Sequence, residues 1–166
     1  SRGPALFTQQ RSGVDGRKFN MLKFRTMEHN NDVHDATSED RITGIGRLLR
    51  ASSLDELPQL INVIRGEMSF IGPRPWITTY YRHMNASQRR RYSVRPGITG
   101  IAQVYGRNNL TIHEKIAYDL RYVTHIGIYE DLKVIFLTFL AIVSKEGQEM
   151  GKSGIHKELD ILREHL

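Results

Sequence analysis

The sequence contains no cysteine, which removes disulfide scaffolds, thiol catalysis and cysteine-ligated zinc. Its seven histidines are scattered and form no His-Glu-x-x-His pattern, so a zinc hydrolase is not supported. No GxxxxGK[ST] occurs, and Gly44 and Gly46 supply only part of a dinucleotide fingerprint, so neither a P-loop nor a Rossmann nucleotide site is supported. The longest apolar run, VIFLTFLAIV at residues 134–143, falls far short of the roughly 18 residues that span a bilayer. No internal repeat, low-complexity segment or signal peptide is visible in a sequence that opens abruptly on SRGPALFTQQ. Aromatic residues make up only 8% and are not interleaved through the basic run RRRYSVR, as a stacking platform for nucleic acid requires.

What is present fits one globular domain with a real core: 166 residues, 39% hydrophobic and 25% charged. The formal charge of +6 and a pI near 9.7 favour anionic partners: phosphates, nucleotides, nucleic acid or an acidic membrane face.

Gly and Asp punctuation near the N-terminus separates two strand-like runs, the second over residues 19–27. Period-2 alternation there puts Leu22 and Phe24 on one face and Lys23 and Arg25 on the other. Those two cations form either a solvated surface or one wall of an anion site. Residues 29–40 are polar and read as a loop, followed by a short helix ending near Arg50. In SSLDELPQLINVIRGEMSFIGPRP (52–75), Leu57, Leu60, Ile61 and Ile64 recur at helical spacing and Gly66 closes the helix. Ser53 and Glu56 match a capping box, while Pro58 requires either a bend or a regular helix that begins there. Residues 89–109 read as a folded loop region around the Pro96-Gly97 turn. Thr111 and Glu114 match a second capping box, ahead of a helix with Ile112, Ile116, Leu120 and Val123 in one stripe. The segment EDLKVIFLTFLAIVSKEG is apolar nearly all round, so it is either core or lies on a membrane surface. Ile155, Leu159, Leu162 and Leu166 outline a last amphipathic helix that either closes the core or serves as an oligomer contact.

Three carboxylates stand out. On a helical wheel Asp55 points roughly 170° away from the Leu57/Leu60/Ile61/Ile64 stripe, which predicts that it faces solvent or a cleft. Asp55 and Glu56 either only complement the helix dipole or do chemistry; the helix end favours the ionised form, which suits a nucleophile or a metal ligand. Asp119 falls inside the apolar stripe of its helix and must be paired, metal-bound or facing a polar cavity. Among the arginines, Arg50, Arg74, Arg95 and Arg107 lie beside turns or helix ends. Arg74, between Pro73 and Pro75, has a stiff backbone that suits a guanidinium fork for phosphate.

The strings QQRSGVDGRKF, KFRTM, DRITGIGRLLRASSLDELPQLINVIRGEMSFIGPRP, YSVRPGITGIAQVYGR, YDLRYV and DLKVIF together resemble the bacterial sugar transferases, monotopic polyprenol-phosphate phosphoglycosyl transferases that start glycoconjugate assembly. The resemblance covers nearly the whole chain to about residue 144. It implies a nucleophile at Asp55, a partner carboxylate at Glu56, and Mg2+ bound at the same two residues. The implied substrates are a UDP-sugar, which loses UMP to leave a phosphosugar-aspartyl enzyme, and a polyprenol phosphate that then attacks it. Arg74 and Arg50 are implied phosphate contacts, and Lys23, Arg25, Arg95, Gln103, Arg107, Asp119 and Asp131 supporting or substrate-side positions. The implied location is the cytoplasmic face of the bacterial inner membrane, with a homodimer an open alternative. The resemblance also implies a hydrophobic re-entrant segment upstream of the part that begins here, so the expectation is either a soluble catalytic domain or a numbering that omits the anchor.

The expected architecture is therefore α+β: a mostly helical compact domain with a small β element near the N-terminus. A catalytic domain is expected over residues 1–146 and an amphipathic helical extension over 147–166. The competing reading is a basic module that binds nucleic acid or acidic lipid without catalysis, motivated by the pI and RRRYSVR.

Overall fold

A computed structural model of the chain describes residues 3–28, 42–106, 109–143 and 161. Its architecture is α+β, as expected. The chain begins with an antiparallel hairpin of β1 (Leu6–Ser12) and β2 (Lys18–Phe24), registered from Leu6 opposite Phe24 to Ser12 opposite Lys18. After α1 (Gly44–Ala51) and one 3-10 turn (Leu54–Glu56) come α2 (Gln59–Ile64) and a short strand β3 (Ser69–Ile71). Two short helices, α3 (Thr78–His83) and α4 (Ala86–Arg89), lead to β4 (Gly97–Thr99) and α5 (Ile101–Tyr105). The longest elements are α6 (Ile112–Thr124) and α7 (Ile128–Val143).

The β3–β4 pair is parallel, Ser69 opposite Gly97 and Ile71 opposite Thr99; β3 comes from a stretch to which the sequence pattern assigns no element, and β4 from the expected loop region. Glycine makes it possible. A Cβ on Gly97 would stand 2.2 Å from the Gly72 nitrogen, and one on Gly72 would stand 2.5 Å from the Arg95 carbonyl oxygen, so two backbones meet where no side chain fits. The Gly-Pro-Arg-Pro turn is thereby locked against the Pro-Gly block.

Three clusters of buried apolar side chains support this frame. One gathers Ile77, Tyr80, Met84, Tyr92, Ile112 and Ile116, with Ile161 packed on its edge; a second, Phe19, Met21 and Met68, lies under the hairpin; a third joins Ile101, Tyr122 and Val134. The expected stripe of α6 is thus turned inward, and its Thr111–Glu114 capping box forms. The rest of the proposed C-terminal extension, 147–166, lies outside the described residues apart from Ile161.

Helix α2 differs from its wheel. Regular helix begins after Pro58, which occupies the N-cap, but the apolar stripe is the outer face: Leu57, Leu60 and Ile61 are exposed and Ile64 is 86% exposed, while Gln59 and Asn62 are buried. The helix is too short to cover a core with its leucines, and Asn62 forms the better inward contact. Its side chain accepts from Leu22 N (3.1 Å) and donates to Asn20 O (2.9 Å) and Glu67 Oε2 (2.7 Å), clipping β2 to α2. Further large apolar residues are exposed on α1 (Ile45, Leu48) and along α7 (Leu132, Ile135, Phe136, Phe139). No described helix is long and apolar enough to cross a membrane.

Candidate active site

The inverted helix explains where Asp55 goes. It does lie opposite the Leu57–Ile64 stripe, but because that stripe faces out, Asp55 faces in and is only 8% exposed. The Ser53–Glu56 capping box does not form. Ser53 takes a left-handed conformation (φ 57°) with no side-chain cap, and Glu56 turns to two cations instead. Glu56 Oε1 accepts from Lys23 Nζ at 2.9 Å and from Arg74 Nη2 at 2.6 Å. Lys23 reaches it because, on β2, it shares the inward face with Phe19 and Met21.

Arg50, at the end of α1, donates from Nε to Thr26 Oγ1 at 2.9 Å. Arg50, Lys23 and Arg74 all act electrostatically on Asp55. No described residue hydrogen-bonds the Asp55 carboxylate, so its oxygens are free to act on a ligand. Burial, aided by the neighbouring Glu56 charge, pushes its pKa above the ordinary aspartate value against the pull of Lys23, Arg50 and Arg74. Glu56 goes the opposite way: burial alone would raise it, but Arg74 and Lys23 together hold it far below the usual carboxylate range. The two adjacent carboxylates are thus shifted in opposite directions, Glu56 toward the ionised form and Asp55 toward greater basicity. Arg74, whose side chain is 41% exposed, keeps donors available beyond its bond to Glu56.

The Arg74 backbone has its own support. Arg91 is fully buried, donates from Nε (2.9 Å) and Nη2 (2.6 Å) to Asp119 Oδ2, and donates again from Nη2 to the Arg74 carbonyl at 2.8 Å. The Trp76 and Tyr92 rings lie 4.0 and 4.8 Å from its guanidinium carbon. Burial would lower the Arg91 pKa, yet the Asp119 charge and its hydrogen bonds hold it above its ordinary value. Asp119 is therefore paired with an arginine, one of the alternatives its place in the stripe left open. That arginine is buried within the run RRRYSVR, where three consecutive arginines give no signal of which one turns inward.

The structure brings Lys23, Arg50, Asp55, Glu56 and Arg74 together and sets other expected site residues elsewhere. Arg25 donates from Nε to Pro4 O at 2.8 Å and lies over the Phe7 ring. Arg95 borders a cavity of about 450 Å3 together with Arg17, Lys18 and Glu67. Gln103 donates to the Ile98 carbonyl at 3.3 Å, and Asp131 accepts from the Tyr122 hydroxyl at 2.8 Å, joining α6 to α7. Arg107 lies outside the described residues. Asn62 and Arg91 hydrogen-bond the segments that carry Lys23 and Arg74, and neither was among the expected site residues; the signal for Asn62 was a polar pair, Gln59 and Asn62, one turn apart opposite the leucines.

The donor set can be tested against the implied Mg2+. No third His, Asp or Glu joins the dyad among the described residues, and Glu56 Oε1 already serves two cations. This does not make an all-protein cage. It does fit an ion that keeps its waters and is shared between one or two carboxylates and substrate phosphates.

The family described as bacterial sugar transferase matches residues 1–145. The chain is 42% identical over 158 residues to a UDP-glucose:undecaprenyl-phosphate glucose-1-phosphate transferase of Caulobacter vibrioides, covering 88% of this chain and 59% of that protein. It is 42% identical over 146 residues to an uncharacterised sugar transferase of Bacillus subtilis, covering 87% and 72%. A third relative, the Escherichia coli UDP-glucose:undecaprenyl-phosphate glucose-1-phosphate transferase, is 40% identical over 158 residues, covering 87% and 34%. The chain therefore belongs to the bacterial sugar transferase family. It spans only about three fifths of the Caulobacter relative and a third of the Escherichia coli one.

Proposed function

We propose that this chain carries the catalytic centre of an enzyme that transfers a sugar-1-phosphate from a UDP-sugar to a polyprenol phosphate. The observation that carries the reading is Asp55: a buried carboxylate, unbonded by any described residue, raised in basicity and surrounded by Lys23, Arg50 and Arg74. Two of the relatives are named for UDP-glucose and undecaprenyl phosphate, which supports the same substrate classes here.

An anionic nucleophile approaches a diphosphate only where cations offset the repulsion. Asp55 attacks the sugar-bearing phosphorus in line with the bridging oxygen. The bond to that oxygen breaks, UMP departs with the electron pair, and a phosphosugar-aspartyl ester remains. An oxygen of the acceptor phosphate then attacks the same phosphorus, the aspartyl bond breaks, and Asp55 returns as a carboxylate beside polyprenyl-diphospho-sugar. Glu56, held ionised, orients Arg74 and Lys23 rather than shuttling a proton. Mg2+ held by Asp55, Glu56 and substrate oxygens would neutralise phosphate charge when bound.

The exposed apolar faces of α1, α2 and α7 suit a lipid surface, which supports placement at the cytoplasmic face of the bacterial inner membrane, where a polyprenol acceptor resides. The test is UMP release from a UDP-sugar and Mg2+ without acceptor. Release near one equivalent of enzyme, lost in Asp55→Asn, is expected; no release by the folded protein with any UDP-sugar contradicts the reading.

A further inference from the structure

Arg11 stands beside this site, and the transfer chemistry above does not use it. It lies on β1 directly opposite Phe19, on the strand end that is stitched to the Gly-Pro-Arg-Pro turn. There Ser12 N donates to Trp76 O at 3.0 Å, and Arg11 bridges to Ile77. The half-buried Arg11 guanidinium therefore reaches the segment that holds Arg74, with Nη1 3.4 Å from Pro75 O and Nη2 2.5 Å from Gln9 Oε1. Both partners are neutral. Its Nε is buried and has no partner, and no described carboxylate lies within 4.0 Å of it.

The neighbouring cations differ: Glu56 answers Lys23 and Arg74, and Asp119 answers Arg91. A guanidinium kept among neutral acceptors, near a second guanidinium, loses hydration and is repelled. Burial first, and then Arg74, accordingly bring the Arg11 pKa down to about 10. An arriving anion relieves both effects, and a guanidinium fork matches a phosphate group, whose oxygens accept paired N–H donors.

We propose that Arg11 and Arg74 form a two-guanidinium clamp on one substrate phosphate, with Arg11 supplying a charge that no described carboxylate pairs directly. The ligand class is a phosphate-ester oxyanion. Within the transfer reading, on which this proposal rests, it comes either from the donor diphosphate or from the acceptor phosphomonoester.

Binding is measured first, without turnover, by calorimetric titration of inorganic pyrophosphate into the parent, Arg11→Gln and Arg11→Lys proteins, with thermal midpoints as the check on folding. Loss of one charged fork is expected to weaken pyrophosphate by about 10-fold or more in Arg11→Gln, with partial recovery in Arg11→Lys, which keeps the charge. Acceptor-free UMP release then identifies the source. A fall in Arg11→Gln assigns the donor diphosphate to the clamp, and unchanged release with slowed transfer to a polyprenol phosphate assigns the acceptor. Pyrophosphate affinity unchanged in both folded variants overturns the clamp. Arg11-dependent pyrophosphate binding in a parent protein that releases no UMP supports the clamp and removes the transfer reading.

Discussion

Arg91 donates a hydrogen bond from Nη2 to the backbone carbonyl of Arg74 at 2.8 Å while the same guanidinium is held by Asp119. The buried ion pair thus ends on the backbone of the residue that pairs with Glu56. Breaking it from one side, as in Arg91→Ala or Asp119→Ala, leaves an uncompensated buried charge and is expected to cost about 3–5 kcal/mol by chemical denaturation. The double replacement Arg91→Met with Asp119→Leu removes both charges and is expected to recover most of that stability. UMP release should nevertheless stay low in the double variant, because the Arg74 carbonyl has lost its donor. Normal release from it would show that the strut supports only the fold.

Asn62 makes a separate prediction. Asn62→Leu strands the Leu22 amide and the Asn20 carbonyl, at a cost of about 1–3 kcal/mol for each buried group left unpaired. The loosened β2 also shifts Lys23, so activity should fall further than in a surface variant of equal stability. A loss below about 0.5 kcal/mol would contradict the clip.

The opposed shifts of the dyad fix two signs. Asp55 has a folded pKa above its unfolded value, so it favours folding below the ordinary value of 3.8 and this contribution is lost as pH rises through the folded value. At pH 7 Asp55→Asn is therefore expected to be at least as stable as the parent while losing activity. Glu56 has a lowered folded pKa, so its contribution is present above 4.5 and lost as pH falls through the folded value. Glu56→Gln is expected to be less stable at pH 7, with Lys23 and Arg74 left facing an amide. Thermal midpoints of the two variants check this contrast; equal shifts would contradict it. The acid limb of UMP release should follow Asp55 and lie above 3.8.

Ile64 and Phe139, exposed in the described structure, should tolerate charge without loss of fold. Ile64→Glu and Phe139→Glu are expected to leave the thermal midpoint nearly unchanged and to weaken co-sedimentation with vesicles containing anionic lipid. Val134→Glu, on the buried side of α7, should unfold the protein instead. Unchanged vesicle binding in both surface variants would remove the lipid-facing reading of these helices.

Much of this was legible where local chemistry acts alone. The hairpin, α1, the α6 stripe and the Thr111 capping box follow from periodicity and short-range hydrogen bonding. Helix α2 did not, because a wheel identifies two faces but not which one is inside, and here three hydrogen bonds from Asn62 outweigh a leucine stripe on a six-residue helix. The β3–β4 pair was hidden because each strand has only three residues and the pairing spans 28 positions, from Ser69 to Gly97. At the site, Asp55, Glu56 and Arg74 were visible through family strings and a stiff turn. Arg91 was not, and Arg11, although inside the string QQRSGVDGRKF, was not marked as a site residue, since only tertiary contacts show what either guanidinium meets.

The proposed transfer requires that a phosphosugar become bonded to Asp55. Intact-mass and peptide-mapping spectrometry after brief incubation with UDP-glucose and Mg2+, without acceptor, tests it most directly. One phosphohexose adduct is expected on the peptide containing Asp55, matched by an equal amount of UMP and discharged by polyprenol phosphate. UMP release with no adduct, or an adduct on another residue, would contradict it.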